Sequence, residues 1–252
     1  MVIELENISN ARDLGGMFAA EGKKIKPKRL IRSSALHNAS DNDISTLQDK
    51  YNLAHVVDFR TEDERCEKPH LVDKFNGVDY SFLKSFDKIE EVITRDKKSN
   101  YLLIKKVDDL TTEAAIEIIE DFYDQLPTID SLQIAYKKFF EILLNNTQGS
   151  VLWHCSLGKD RAGIASVLIE YALGVSKDDI YKDYMLTKDH LDQNIVKNKN
   201  NAFRVFYGVR ESFLDAWYKS VENNYGSIDN YLKEKLGVGN KEIETLRAMY
   251  LE

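Results

Sequence analysis

Apolar positions recur at helical spacing through most of the C-terminal part of the chain and gather into strand-like runs only in short stretches. Over 112–126, Ala115, Ile118, Ile119, Phe122 and Leu126 fall on one face at i, i+3 and i+4 intervals. Leu132, Tyr136, Phe139, Phe140, Leu143 and Leu144 do the same over 130–145. Ile164, Val167, Leu168 and Tyr171 mark a further helix that Gly174 is placed to end, and Phe213, Trp217 and Val221 share the face of another. In "YGSIDNYLKEKLG" Ser227 is the expected N-cap and Gly237 the terminator; Asn240 is expected to cap a last helix carrying Ile243, Leu246 and Tyr250.

Four runs predict strands. "NLAHVVDF" (52–59) is rich in β-branched residues and ends at Asp58, "GSVLWHC" (149–155) is a second strong run, and "VDYSFL" (78–83) is weaker. Residues 23–33, "KKIKPKRLIRS", predict an early strand or hairpin. Few short strands among many helices imply an α/β fold with a mostly parallel central sheet flanked by helices. The segment 84–112 breaks the pattern: it is charged, weakly periodic and lysine-rich, fitting either a solvated excursion or a mobile lid. No repeat and no Pro/Gly/Ser-rich linker divides the 252 residues, and with prolines only at 27, 69 and 127 a single domain over 1–252 is expected.

Composition narrows the class. With 43% hydrophobic and 31% charged residues the chain is ordinary for a folded soluble protein. A net charge of −7 argues against a nucleic-acid binder, though a site on an acidic protein can still be locally positive. Two cysteines make no disulfide framework and match no zinc pattern, so neither a metal nor a cofactor is expected. Cys66, in "RTEDERCEKPH", reads as an incidental thiol. No run approaches a transmembrane span and the N-terminus lacks the form of a secretion signal, so a cytoplasmic location is expected, unconventional export aside.

The other cysteine stands in "HCSLGKDRAG" (154–163), after a buried strand and before a helix. Strand, tight loop and helix N-terminus turn the backbone N–H groups of 156–161 inward, where a nest and the helix dipole bind a tetrahedral dianion such as phosphate. Gly158 permits the turn and Gly163 the close packing of the helix start; Ser156, Leu157, Lys159 and Ala162 complete the expected phosphate-binding residues. The same dipoles favour the thiolate of Cys155, and Arg161 can fork two oxygens of the phosphate. This is an arrangement for displacement at phosphorus through a phosphocysteine, with positive charge supplied by N–H groups and Arg161 rather than by a metal. His154 is expected to order the loop; histidines 37, 55, 70 and 190 show no ligand spacing.

The loop resembles the H-C-x-x-G-K-D-R-[TSA]-G sequence of bacterial tyrosine phosphatases, the branch that includes secreted mycobacterial and listerial enzymes. "NARDLGG" (10–16), "LIRSSAL" (30–36), "VVDFRTEDE" (56–64), "DYMLT" (183–187) and "YGSIDNYLKEKLGV" (225–238) resemble further motifs of that branch, in its order. The resemblance implies a protein-tyrosine-phosphatase-like fold with a helical lid inserted over 84–130. It also implies action on phosphotyrosine, with phosphoserine/threonine proteins and phosphoinositides as further substrates. By position it makes Cys155 the nucleophile, Arg161 the phosphate clamp and Asp160 the general acid, with Lys159 adding charge at the mouth. Asp160 as a carboxylate that merely holds the loop is the alternative, and Asp58 is then the acid. Arg12, Asp13 and Arg60 are expected to brace the loop or to form plain ion pairs. Many members carry Ser or Thr where this chain has Ala162, which removes a hydroxyl able to steady the sulfur. A phosphate-dependent binding module with impaired turnover is therefore a competing reading; a sulfur transferase fits the "GKDRAG" sequence poorly.

Overall fold

The computed structural model describes residues 1–86, 110–191, 197 and 199–252. Its sheet contains β1 (Arg12–Asp13), β2 (Leu30–Ser33), β3 (Leu53–Asp58), β4 (Asp79–Phe82) and β5 (Ser150–His154), in the order β1-β2-β5-β3-β4. Only β1 is antiparallel to its neighbour; the other pairings are parallel. The register sets Ser33 and Asp58 both opposite His154, so three carboxyl ends lie level on either side of the central strand β5. That edge of a parallel sheet is where ligand sites form.

Period-two alternation gives the sheet two faces. Leu30, Val57, Val151 and Trp153 enter the larger core, while Ile31, Val56 and Leu152 enter a smaller one with Leu36, Ile44, Leu47 and Tyr51. The small face carries the N-terminal segment and the short helix α1 (Asp41–Ser45); α2 (Glu62–Glu67) follows β3. Most helices supply the larger core: α3 (Thr112–Gln125), α4 (Asp130–Asn145), α5 (Arg161–Leu173), α6 (Lys177–His190), α7 (Asn201–Tyr207), α8 (Glu211–Tyr225), α9 (Ile228–Lys235) and α10 (Asn240–Tyr250). In α5 every residue but Tyr171 is buried, which explains why its sequence is apolar nearly all round. Gly174 ends it in the left-handed region at φ 82°, as its position predicted. None of the described helices is long and apolar enough to cross a membrane.

The strands at 52–59, 78–83 and 149–155 are present within a residue or two. The run 23–33 is strand only from Leu30: Lys28 takes a positive φ of 59° after Pro27, and Lys24 and Ile25 make isolated bridges to Phe18 and Leu251 instead. The last helix is capped one residue earlier than expected. Gly239 precedes it and gives its N–H to the Glu242 carboxylate at 3.0 Å. Of the proposed lid region, 87–109 lies outside the described residues; from Thr112 the chain is helix α3, with Ala115, Ile119, Phe122 and Tyr123 buried against the core.

Candidate active site

Cys155 follows β5 at the level edge of the sheet and is 1% exposed. The next three residues turn their carbonyls away from it, and each carbonyl has its own donor. Ala35 N–H binds Ser156 O at 3.1 Å, Asn10 Nδ2 binds Leu157 O at 3.0 Å, and Arg32 Nη2 binds Gly158 O at 2.7 Å. Gly158 is required here: its φ is +70°, and a Cβ would stand 2.3 Å from the Ser33 carbonyl oxygen. With the carbonyls of 156–158 held outward, the planar peptides turn the N–H groups of 157–159 the other way, and those of 156, 160 and 161 flank them. None of them has an acceptor among the described residues. Such a row of free donors at the start of α5 suits a tetrahedral dianion.

Arg161 opens α5, its carbonyl held by the Tyr136 hydroxyl at 2.9 Å. Its guanidinium is gripped by Glu64, Nη1 to Oε2 at 2.6 Å and Nη2 to Oε1 at 2.8 Å, with Phe59 O and Ser85 Oγ further off at 3.2 and 3.4 Å. The Ser156 hydroxyl also donates to Glu64. Glu64 is at the same time the third residue of α2, in a capping box with Thr61: Thr61 N–H binds Oε2 at 2.7 Å and Glu64 N–H binds Thr61 Oγ1 at 3.2 Å. Burial alone would favour the neutral acid, but the hydrogen bonds and charge of Arg161 outweigh it and bring the Glu64 carboxyl down from 4.5 to about 2. Arg161 is correspondingly raised, its burial outweighed by the same carboxylate.

Asp160 accepts the Tyr123 hydroxyl at 2.8 Å and lies 3.3 Å from the Lys159 ammonium, both on Oδ1. Tyr184 in turn donates to Tyr123 at 2.8 Å. Lys159 itself points inward, 3% exposed, onto the carbonyls of Phe206 (2.7 Å) and Gly208 (3.0 Å) at the end of α7. The sequence placed it at the mouth; the free carbonyls of a helix terminus draw it inside. Asp58 is fully buried in a fork with Arg60 and also takes the Tyr80 hydroxyl at 2.8 Å. Burial opposes its ionisation, but the facing His154 ring and the Arg60 contacts hold it well below the usual carboxylate range. A proton donor so strongly acidic is ill suited to the alternative role the sequence left open. Burial pushes His154 down, and its Nδ1 lies 3.1 Å from the Cys155 carbonyl.

Arg12 does not touch the loop. Its Nε binds Asp183 Oδ1 at 2.8 Å, and it also holds Asn10, the donor to Leu157. Asp13 is remote in function too, accepting the N–H groups of Gly15 and Lys28 to hold the turn before β2. Ala162 is buried, its carbonyl bound by the Trp153 indole at 3.1 Å, and a Cβ on Gly163 would lie 3.1 Å from Arg32 Nη2. Leu157 packs with Leu191 and Tyr207. A cleft of about 660 Å³ adjoins the loop, lined among others by Ser156, Glu64, Arg60, His37, Lys68 and Tyr207.

Sequence reasoning missed Glu64, Arg32, Asp183, Asn10 and Tyr123. "TEDE" did announce a capping box at 61–64, and Arg32 and Asp183 lay inside recognised motifs. Nothing in their spacing told which partner each would meet.

A cysteine, a row of N–H groups without acceptors among the described residues and a clamped arginine at the carboxyl edge of a parallel sheet suit an α/β protein that handles phosphate. The profile of the tyrosine phosphatase family matches residues 3–252, and the chain belongs to that family. It is 30% identical to a Cupriavidus necator protein named, provisionally, a tyrosine-protein phosphatase, over 99% of this chain and 88% of that one. It is 25% identical to the triple specificity protein phosphatase PtpB of Mycobacterium tuberculosis over 99% of both chains. A tyrosine-protein phosphatase of Nostoc commune shares 23% identity over 91% of this chain and 76% of its own. The protein is thus a tyrosine phosphatase by family, and its mostly parallel sheet flanked by helices is the α/β fold that the sequence predicted.

Proposed function

We propose that this phosphatase hydrolyses phosphomonoesters through a phosphocysteine formed on Cys155, with phosphotyrosine proteins as its main substrates. The observation that carries the reading is the loop itself: the N–H groups of 156–161, with no acceptor among the described residues, beside a buried cysteine and Arg161. The thiolate attacks phosphorus, the bond from phosphorus to the ester oxygen breaks, and that oxygen takes a proton from Asp160. Water then attacks phosphorus, its proton returns to Asp160, and the sulfur leaves as thiolate. The N–H groups and Arg161 meet the charge spread over the non-bridging oxygens in both steps. Tyr123 fixes one oxygen of Asp160, which supports that residue over Asp58 as the proton carrier.

Triple specificity, as in the name of the mycobacterial relative, extends the reading to phosphoserine and phosphothreonine proteins. Phosphoinositides are a weaker prospect, because the lysine expected to greet a polyanionic headgroup is turned inward. The test is Cys155→Ser with p-nitrophenyl phosphate and a panel of phosphopeptides and phosphoinositides. Turnover should vanish while inorganic phosphate still binds; appreciable turnover by the serine variant would overturn the covalent route.

A further inference from the structure

The ionic groups around the loop pair off almost completely. Arg161 meets Glu64, Lys159 lies beside Asp160, and Arg60 meets Asp58, one cation to one carboxylate each. Behind the loop the count differs. Arg12 and Arg32, 1% and 0% exposed, share a single carboxylate, Asp183: Arg12 Nε on Oδ1 at 2.8 Å and Arg32 Nη1 on Oδ2 at 2.9 Å. The other acid nearby is Glu170 on α5, 1% exposed, neither of whose oxygens has a hydrogen-bond partner among the described residues. A carboxyl this deeply buried with no donor on either oxygen is held in its neutral form, since nothing meets the charge that ionisation would leave; burial, and after it the Asp183 carboxylate, raise it in the same direction. The cluster therefore carries one positive charge in excess.

That excess is coupled to the loop by one contact. Arg32 reaches from Asp183 to the Gly158 carbonyl at 2.7 Å, and a Cβ on Gly163 would come within 3.1 Å of its Nη2. We infer that Arg32 is a positioning residue of the phosphate loop, which turns the Gly158 carbonyl outward and sets an uncompensated positive charge behind the Cys155 sulfur. The inference rests on Cys155 being the nucleophile. Of the other cations around the loop, Arg161, Lys159 and Arg60 are each matched by a carboxylate of their own, and burial pushes His154 away from its charged form.

The thiolate can be read without turnover, by iodoacetamide alkylation of Cys155 against pH, followed by peptide mass spectrometry with Cys66 as internal reference. Arg32→Met should move the Cys155 midpoint upward by about one pH unit, the effect of losing an opposite charge nearby, while the Cys66 profile stays put. Arg32→Lys keeps the charge but not the fork. Its midpoint should stay within a few tenths of native while kcat for p-nitrophenyl phosphate falls about tenfold. Glu170→Gln, isosteric with the neutral acid, should leave the midpoint where it is. An unchanged midpoint in folded Arg32→Met, or a lowered midpoint in Glu170→Gln, would overturn the inference; the second would mean that Glu170 is ionised and the cluster neutral. Should Arg32→Met fail to fold, a midpoint raised in Arg32→Lys by as much as a unit would overturn it as well. Failure of the nucleophile assignment would show separately, as turnover that survives full alkylation of Cys155.

Discussion

Glu64→Gln separates two things the carboxylate does. Glutamine at the third position still completes the capping box with Thr61, so helix α2 keeps its start. What is lost is the charge opposite Arg161. The native carboxyl titrates at about 2 instead of 4.5, which at 1.36 kcal/mol per unit corresponds to about 3 kcal/mol of stability at neutral pH. The sign follows from the direction: a depressed folded value gives a contribution fully present above pH 4.5 and lost as pH falls toward 2. Glutamine can still accept one guanidinium hydrogen bond, so the expected cost is about 2 kcal/mol, or roughly 4–8 °C in Tm for a chain this size. Thermal denaturation from pH 7 to pH 2.5 should show the native and variant curves converging in acid. For catalysis two effects compete, since removing a carboxylate beside the phosphate relieves repulsion but also frees the arginine that must fork it. Orientation should win, because a planar fork loses its value when it rotates, and kcat/KM for p-nitrophenyl phosphate should fall by about tenfold to a hundredfold. Equal stability at pH 7, or a faster enzyme, would refute the reasoning and make Glu64 a competitor of the substrate rather than a brace.

Asp160→Asn should slow aryl phosphates with poor leaving groups far more than those with good ones, read as a steeper dependence of kcat/KM on leaving-group pKa; equal losses across the series would leave Asp160 a purely structural partner of Tyr123 and Lys159. Rapid mixing of the native enzyme with p-nitrophenyl phosphate should give a burst of p-nitrophenol before a slower steady state, because no hydroxyl at position 162 helps the sulfur leave. Ala162→Ser should shrink the burst and raise the steady rate by about tenfold, the worth of one hydrogen bond to a charged group at the low end of its range.

The sequence was most legible where local physics decides. Long periodic helices, the β-branched runs at 52–59 and 149–155, and the left-handed stop at Gly174 all follow from residues close to one another. It was less legible where a distant partner decides. Strand β1 is two residues long, too short for any periodicity, and exists because Arg12 and Asp13 pair with Arg32 and Ile31. Lys159 looked like a surface charge in a polar loop, and only the fold brings the end of α7 close enough to draw it inside. Arg60 and Asp58 are two residues apart and satisfy each other, so their spacing could equally have served the loop. Cys155 and Arg161, the proposed nucleophile and clamp, stand together in the loop itself; Glu64, Arg32 and Asn10, which hold Arg161 and the loop carbonyls, lie 97 to 147 residues from the groups they hold and carry no local sign.

That division has a physical consequence for how the loop functions. Nothing within "HCSLGKDRAG" can by itself keep three consecutive carbonyls turned outward, since an isolated loop would let its N–H groups and carbonyls trade partners with water. The outward turn is imposed by Ala35, Asn10 and Arg32, two neutral donors and one charged one, all from the first 35 residues. Arg32 contributes most, a charged donor being worth roughly twice a neutral one. Because those bonds form when the chain folds, the N–H groups are already aimed before any phosphate arrives, and charge developing on its oxygens meets dipoles that need not reorganise. The motifs "NARDLGG" and "LIRSSAL" are therefore as much a part of the proposed active site as the cysteine loop, although no atom of them need touch the substrate.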